Sequence, residues 1–205
     1  MENKWLAYSK RIHALSQIGL NFTQSNYDKD RYEELLAISL EMMEDLTDTS
    51  PARIKLSFIE EKNYLTPKPD VRAIVFKDGK ILLVKEATDN KWCPPGGWAD
   101  IGYSPAEVAI KEAKEESGLE VKPVRLLAVL DKSKHSHPPS PFHVYKIFIL
   151  CELIGGELGG GTETLGADFF DIADLPELST DRITFSQIAL MYDFLNDPNK
   201  EAIFD

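Results

Sequence analysis

The chain has 205 residues, of which 43% are hydrophobic, and its 34 acidic and 23 basic side chains give a formal net charge of -11. This length accommodates one ordinary domain, or one domain with a small appendage. The negative charge repels polyanions and anionic membrane surfaces, which argues against duplex nucleic acid and membranes as partners. An anionic substrate would therefore have to be held by local cations, either side chains or metal ions.

The two cysteines, Cys93 and Cys151, form neither a disulfide framework nor a paired metal-ligand spacing. They are typical of reduced thiols in a cytosolic protein. The first ten residues lack the apolar segment of a signal peptide, and no stretch reaches the about 18 apolar residues of a membrane span. We therefore expect a cytoplasmic protein.

Residues 1 to about 48 are predicted to form two amphipathic helices, because apolar side chains recur at spacings of three and four. Two helices cannot close a core of their own, so their apolar stripes must pack on the rest of the chain or on a second copy of it. Aromatic and methionine side chains are enriched at interface cores, which favours a homodimer. The side chains concerned include Trp5, Tyr8, Phe22, Tyr32, Met42 and Met43.

A connector follows, in which Ile54, Leu56 and Phe58 alternate like a short strand. From Val71 the pattern predicts a β-hairpin around the turn KDGK. Further strands and two helices favour an α/β fold with a mixed sheet and helices on its faces. The segments are VRAIVF and ILLVKE for the hairpin, then a central helix, then strands in VRLLAVLD, FHVYKIFILCEL and ADFFDI, and a closing helix in TFSQIALMYDFLND.

The central helix has well-marked ends. Ser104 is the predicted N-cap, Pro105 takes the first helical position, and Glu107 completes a capping box with Ser104. Gly118 supplies the stop. The spacing therefore predicts a helix between Ser104 and Gly118.

Three carboxylates lie on one side of the last turns of this helix: Glu112, Glu115 and Glu116. Repulsion between Glu112 and Glu116, at spacing i,i+4, destabilises the helix by about 0.2–0.5 kcal/mol. Negative charge near the C-terminus of a helix costs about 0.3–1 kcal/mol more. Lys111 and its neighbour Lys114 could relieve this repulsion on a solvated face, whereas clustered carboxylates are also what a hard divalent cation binds. The preceding Gly-Gly pair favours the cation, because glycine lets backbone groups approach an ion or a phosphate closely.

The stretch GGWADIGYSPAEVAIKEAKEESGL resembles the Nudix box, the signature of hydrolases of nucleoside diphosphates linked to another moiety. The resemblance covers about residues 68–205 and implies an α/β/α sandwich around a mixed sheet. Residues 1–67 look like the helical appendage of a subgroup acting on ADP-ribose-like or CDP-choline-like compounds. The positions that match the family pattern are Gly97, Glu112, Glu115, Glu116, Gly118 and Leu119.

The resemblance also implies a role for each site residue. Glu112 and Glu116 would be the main ligands of Mg2+ or Mn2+, and the Gly96 carbonyl would add another. Glu115 would complete the cluster. Glu115 or Glu163 would accept a proton from the attacking water, and the alternative for Glu163 is an ordinary exposed loop residue.

Two cations on the hairpin strands, Arg72 and Lys85, could contact the diphosphate, or they could be ordinary surface charges. A loop with His135, His137 and His143 could line the substrate pocket, although a solvent loop is also open. Two histidines without a cysteine partner make zinc binding a weak alternative.

The sequence departs from the family pattern at two positions, with Tyr103 in place of a Glu and Lys111 in place of an Arg. In the family these two residues support the metal-binding helix as an ion pair. We expect a substitute contact between them, such as a Tyr–Lys hydrogen bond, with looser positioning because lysine lacks the bidentate fork of arginine.

The resemblance therefore predicts a Mg2+- or Mn2+-dependent pyrophosphohydrolase that cleaves a nucleoside diphosphate linked to X. The products would be a nucleoside monophosphate and phospho-X. Two alternatives stay open: hydrolysis of phosphodiesters at RNA ends by the same metal cluster, and a nucleotide-sensing module without catalysis, which the departures at Tyr103 and Lys111 suggest.

Overall fold

The computed structural model describes residues 3–50, 54 and 65–205. The chain divides into two compact units. The first comprises Met1–Pro67 with the short segment Pro138–His143, and the second comprises Lys68–His137 with Val144–Asp205. Within the described ranges, none of the helices has the length and apolar character needed to span a membrane.

The first unit contains helix α1, Lys4–Phe22, and helix α2, Asn26–Leu46, as the apolar spacing predicts. Both begin at a side-chain cap: Asn3 accepts a hydrogen bond from the Trp5 amide, and Ser25 from the Asp28 amide. The buried residues of this unit combine an apolar cluster with a polar strip, namely Leu6, Met43 and Ile54 with Ser9, His13, Ser16 and Ser39.

The large apolar side chains of α1 do not belong to this buried set. Trp5, Tyr8, Leu15 and Phe22 share one face of the helix, and each is about half exposed or more. In the connector, Ile54 is helical and not part of a strand, so that prediction is wrong there. The other two residues of the predicted strand lie outside the described residues.

The second unit is built on a mixed sheet of eight strands. The strands are β1 Lys68–Lys77, β2 Lys80–Glu86, β3 Trp92–Cys93, β4 Gly96–Trp98, β5 Leu119–Asp131, β6 Val144–Gly156, β7 Thr164–Phe170 and β8 Ile203–Phe204. The main path of the sheet runs β3-β2-β1-β6-β5-β8, with β4 paired to β1 and β7 paired to β2. The β1–β6 and β5–β8 pairs are parallel and the others are antiparallel.

Two helices cover the two faces of this sheet: α3, Pro105–Ser117, and α4, Phe185–Asn196. Successive side chains of a strand point to opposite faces. Along β1, Ala73 packs in the core cluster of α3, and its neighbour Ile74 packs in the core cluster of α4. The α/β class and the layered arrangement around a mixed sheet are therefore confirmed.

The structure confirms the hairpin, whose turn has Asp78 and Gly79 at φ 51° and 78°. It adds three short strands that the sequence did not indicate. β3 and β4 form in the Pro/Gly-rich stretch between the hairpin and α3, and β8 pairs with β5 at the edge of the sheet. β4 lies directly against β1 and therefore brings the glycine pair next to the sheet.

Candidate active site

Reciprocal capping fixes the start of α3. The Ser104 hydroxyl accepts a hydrogen bond from the Glu107 amide at 3.3 Å, and the Glu107 carboxylate accepts one from the Ser104 amide at 2.8 Å. Gly118 ends the helix in the left-handed region at φ 73°. These caps set which residues of the last turns face the glycine-rich strand.

The glycine pair approaches the carboxylates of α3 through its backbone. Gly96 has φ 146°, and a Cβ there would lie 2.0 Å from the Val71 carbonyl oxygen, so only glycine fits between β4 and β1. The Gly96 amide donates a 2.8 Å hydrogen bond to Glu116 Oε2. A Cβ on Gly97 would lie 3.5 Å from Glu112 Oε2. Both carboxylates thus meet the backbone of β4.

A cavity of about 360 Å³ opens beside this contact. Six of its lining side chains are carboxylates, whereas three are cations, so the cavity is strongly acidic. Its lining residues are Arg72, Glu86, Gly96, Gly97, Trp98, Asp100, Lys111, Glu112, Glu115, Glu116, Thr162, Glu163 and Arg182.

The three carboxylates that α3 contributes to the cavity differ in burial. Glu116 is 7% exposed, and burial raises its pKa to about 7 although Arg72 and the Gly96 amide act in the opposite direction. Burial also raises the pKa of Glu112, and repulsion from Glu115 adds to this effect. Glu115 is largely exposed. The cluster therefore holds negative charge that its protein neighbours only partly neutralise.

The loop that carries Glu163 is tied to the last turn of α3. The Thr164 hydroxyl donates to the Glu116 carbonyl at 2.7 Å and accepts from the Gly161 amide at 2.7 Å. A Cβ on Gly161 would lie 2.0 Å from the Glu115 carbonyl, so glycine allows the close approach. These contacts place Glu163 at the same cavity as the carboxylates of α3.

Arg72 enters the cavity wall from β1 as a buried cation. Its Nε donates to Asp70 Oδ1 at 2.9 Å, and its Nη1 donates to the Pro94 carbonyl at 3.1 Å. The fully buried Lys146 binds the other carboxylate oxygen of Asp70. Burial alone would raise the pKa of Asp70, but the two cations lower it to about 2.

The second cation expected at the diphosphate lies elsewhere. Lys85 is in β2 and is not among the residues that line the cavity. Arg182 lines it instead, with its Nε 3.0 Å from Glu86 Oε1. Sequence reasoning missed Arg182 because it stands alone in a polar loop without a motif around it.

The contact that replaces the family ion pair differs from the expected Tyr–Lys hydrogen bond. Lys111 Nζ lies 3.0 Å from Asp100 Oδ2, and the Tyr103 ring centroid is 5.8 Å from the same ammonium. The Asp100 contact raises the pKa of Lys111, which keeps it charged. An ion pair and a cation–π contact therefore support the helix, because Asp100 supplies the acid that position 103 lacks.

The histidines do not line the cavity within the described residues. His135 Nε2 lies 3.1 Å from Asp205 Oδ2, and His137 Nδ1 lies 2.7 Å from the Thr180 carbonyl oxygen. His143 belongs to the short segment grouped with the first unit. The prediction that the loop with His135, His137 and His143 lines the substrate pocket is therefore not supported, because none of the three lines this cavity.

The cavity fits a hard divalent cation by the chemistry of its donors. Among the described residues, no three histidine, cysteine or carboxylate side chains converge closely enough to hold an ion as they stand. In this metal-free arrangement Glu112 and Glu115 lie near the Lys111 ammonium, and Glu116 accepts a hydrogen bond from the Gly96 amide. Carboxylate oxygens in a cavity with excess negative charge are nevertheless the ligand type that Mg2+ and Mn2+ prefer.

The site of this α/β fold is thus an acidic cavity in which helix carboxylates lie opposite a glycine pair. Comparison with known families gives two matches. Residues 66–189 match the NUDIX domain, and residues 3–58 match a domain described as UDP-X-like, N-terminal oligomerisation domain. The chain belongs to the Nudix hydrolase family.

Similar proteins cover both units. A Bacillus subtilis (strain 168) protein named "Putative ADP-ribose pyrophosphatase YjhB" is 50% identical over 100% of this chain and 99% of its own length. A UDP-X diphosphatase structure is 33% identical, covers 98% of each chain and gives a TM-score of 0.64. An ADP-ribose pyrophosphatase structure from Streptococcus suis 89-1591 is 44% identical, with a TM-score of 0.63, and covers 68% of this chain and 100% of its own.

Proposed function

We propose that this protein is a divalent-metal-dependent pyrophosphohydrolase that cleaves a nucleoside diphosphate linked to X into a nucleoside monophosphate and phospho-X. The observation that carries the proposal is the meeting of Glu112, Glu115, Glu116 and Glu163 with the buried Arg72 around one cavity. Carboxylates for a metal and a cation for a phosphate are the groups that this reaction needs.

Each residue has a role in this proposal. Glu112 and Glu116 would hold Mg2+ or Mn2+ together with the Gly96 carbonyl, and Glu115 would complete the cluster. When bound, the cation would neutralise phosphate charge and lower the pKa of a water molecule. Glu163 or Glu115 accepts the proton of the attacking water, since both line the cavity and Glu163 sits on an anchored loop.

Arg72 binds a phosphate oxygen of the substrate. Its Nε and Nη1 are engaged by Asp70 and the Pro94 carbonyl, so the guanidinium is held in a fixed orientation at the cavity wall. A planar guanidinium is well suited to phosphate, and a fixed one loses little side-chain freedom on binding. Because the cavity has more acidic than basic side chains, a cation in its wall favours the binding of an anionic substrate.

ADP-ribose is the first substrate to test. The names of the Bacillus subtilis and Streptococcus suis relatives point to it, and the UDP-X diphosphatase structure makes UDP-sugars the second choice. CDP-choline remains the third, on the resemblance of the helical appendage alone.

The direct experiment incubates the purified full chain with ADP-ribose, a UDP-sugar, CDP-choline and a short RNA. Each is tested with Mg2+, with Mn2+ and with EDTA, and products are separated by liquid chromatography. We expect AMP and ribose 5-phosphate from ADP-ribose with metal only. Turnover of RNA but of no nucleoside diphosphate would favour the RNA-end alternative, and binding without turnover would favour a sensing module.

We also propose that the chain forms a homodimer through its first unit. Trp5, Tyr8, Leu15 and Phe22 form an exposed apolar stripe on α1, and Trp5 and Tyr8 make an edge-to-face contact at 5.8 Å between centroids. Such a stripe is larger than a solvated appendage needs to expose. The match of residues 3–58 to an oligomerisation domain supports self-association through these helices.

A further inference from the structure

Lys111 lies at the edge of the cavity among three carboxylates. Its Nζ is 3.0 Å from Asp100 Oδ2, 3.7 Å from Glu112 Oε1 and 3.6 Å from Glu115 Oε2. The last two oxygens belong to residues that are assigned above as metal ligands. Lys111 therefore stands where a metal ion would neutralise the same carboxylates.

We propose that Lys111 is an internal counter-cation, which neutralises the acidic cluster in the metal-free protein and withdraws from Glu112 and Glu115 when a divalent cation binds. It thereby sets the affinity of the site for metal. This inference rests on the proposed function, because it takes the cluster on α3 to be the metal site.

The surroundings of Lys111 allow it to withdraw. Its side chain is 30% exposed, so the ammonium can move without burying a charge. The ion pair with Asp100 and the cation–π contact with the Tyr103 ring give the ammonium partners that are not assigned as metal ligands. Lysine also carries a compact charge on a flexible stem, whereas a planar arginine fork would be fixed on one carboxylate.

The counter-cation role and a purely supporting role of Lys111 predict opposite changes in metal affinity when its charge is removed. A positive charge beside the ligand oxygens repels the incoming cation, so removing it must tighten metal binding. If Lys111 only held the loop of Asp100 against α3, its removal would loosen the site and weaken metal binding. The two roles therefore give opposite changes in the dissociation constant.

The experiment measures Mn2+ binding to the full chain by titration calorimetry and by electron paramagnetic resonance of free Mn2+. We expect Lys111→Met and Lys111→Gln to lower the Kd for Mn2+ about tenfold, the order expected for one partly screened charge. Both residues are good helix formers, so α3 should persist, which circular dichroism checks.

Two controls make the change specific. Lys114→Met removes the same charge from the same helix, but Lys114 pairs with Glu120 and the Gly118 carbonyl and does not line the cavity, so its Kd should stay at the wild-type value. Lys111→Arg keeps the charge and should not tighten binding. Weaker or unchanged Mn2+ binding by both Lys111→Met and Lys111→Gln would overturn the proposal.

The failure of this inference is distinguishable from the failure of the proposed metal site. Glu116→Gln must weaken Mn2+ binding if the cluster is the site at all. If it does not, the proposed function loses its metal centre. If it does, but neither neutral variant of Lys111 binds Mn2+ more tightly, only the counter-cation role is wrong.

Discussion

The Gly96 amide donates a 2.8 Å hydrogen bond to Glu116 Oε2, and this contact joins β4 to the last turn of α3. It satisfies one oxygen of a buried carboxylate whose pKa burial raises to about 7. Because the donor is a backbone group of a strand that pairs with β1, the carboxylate is held by the sheet itself. Glu116, the proposed metal ligand, is therefore held against the backbone of β4 in the metal-free protein.

Glu116→Gln should keep the fold and lower kcat by at least ~100-fold, which is the scale of losing one charge-stabilising group. The change removes one negative charge from a repulsive cluster, so the stability of the metal-free protein should hold or rise slightly. Steady-state kinetics on ADP-ribose and thermal unfolding check both points. Glu201→Gln is the matched control, because Glu201 is exposed and outside the cavity. Retained activity in Glu116→Gln would show that α3 is not the metal site.

The parts of the structure that the sequence predicts are those set by local rules. The caps of α3, the Asp-Gly turn and the carboxylate spacing each depend on residues a few positions apart, and the structure has them. The family pattern does not predict the acid that pairs with Lys111, because this acid is Asp100 and not residue 103. The contact becomes visible only in the structure, where the Lys111 side chain extends to the loop that carries Asp100.

Other features depend on pairing between distant strands. Lys146 pairs with Asp70 because β6 runs parallel to β1 with these two residues in register. The sequence around either residue does not predict this pairing. The ion pair of Arg182 with Glu86 also joins residues that are far apart in the sequence, so local patterns do not predict it. In the first unit, periodicity identified α1 but not which face is buried, since Ser9 and His13 are buried while the aromatic stripe is exposed.

Arg72→Lys should lower kcat/KM by about 10–100-fold, mainly through KM, while the protein still folds. One ammonium cannot keep the contacts to both Asp70 and the Pro94 carbonyl and also present a fixed donor to phosphate. Lys85→Met is the control, because Lys85 is on the neighbouring strand and does not line the cavity. A loss of kcat/KM in Lys85→Met comparable to that in Arg72→Lys would reverse this assignment of the phosphate-binding cation.

Acid should destabilise the first unit through His13. Burial lowers the pKa of His13 from 6.5 to about 4 in the folded chain. Between these values the unfolded chain takes up a proton that the folded chain does not, so the free energy of unfolding falls as pH falls through this window, by up to about 3 kcal/mol. In His13→Gln the free energy of unfolding, measured by chemical denaturation at pH 7.5, 5.5 and 4.5, should decrease less than in the wild type. Parallel curves for the two proteins would disprove this linkage.

The full chain should be a homodimer held by the first unit. Light scattering at micromolar concentration should give twice the chain mass of 23.1 kDa. Trp5→Glu combined with Phe22→Glu should give monomers with α1 still helical, because both side chains lie on the exposed stripe, where a charge costs nothing until a partner buries it. Ile101→Glu, at a fully exposed apolar residue of the second unit, should remain dimeric. A wild-type monomer, or a dimer that survives the double change, would show that this stripe is not the interface.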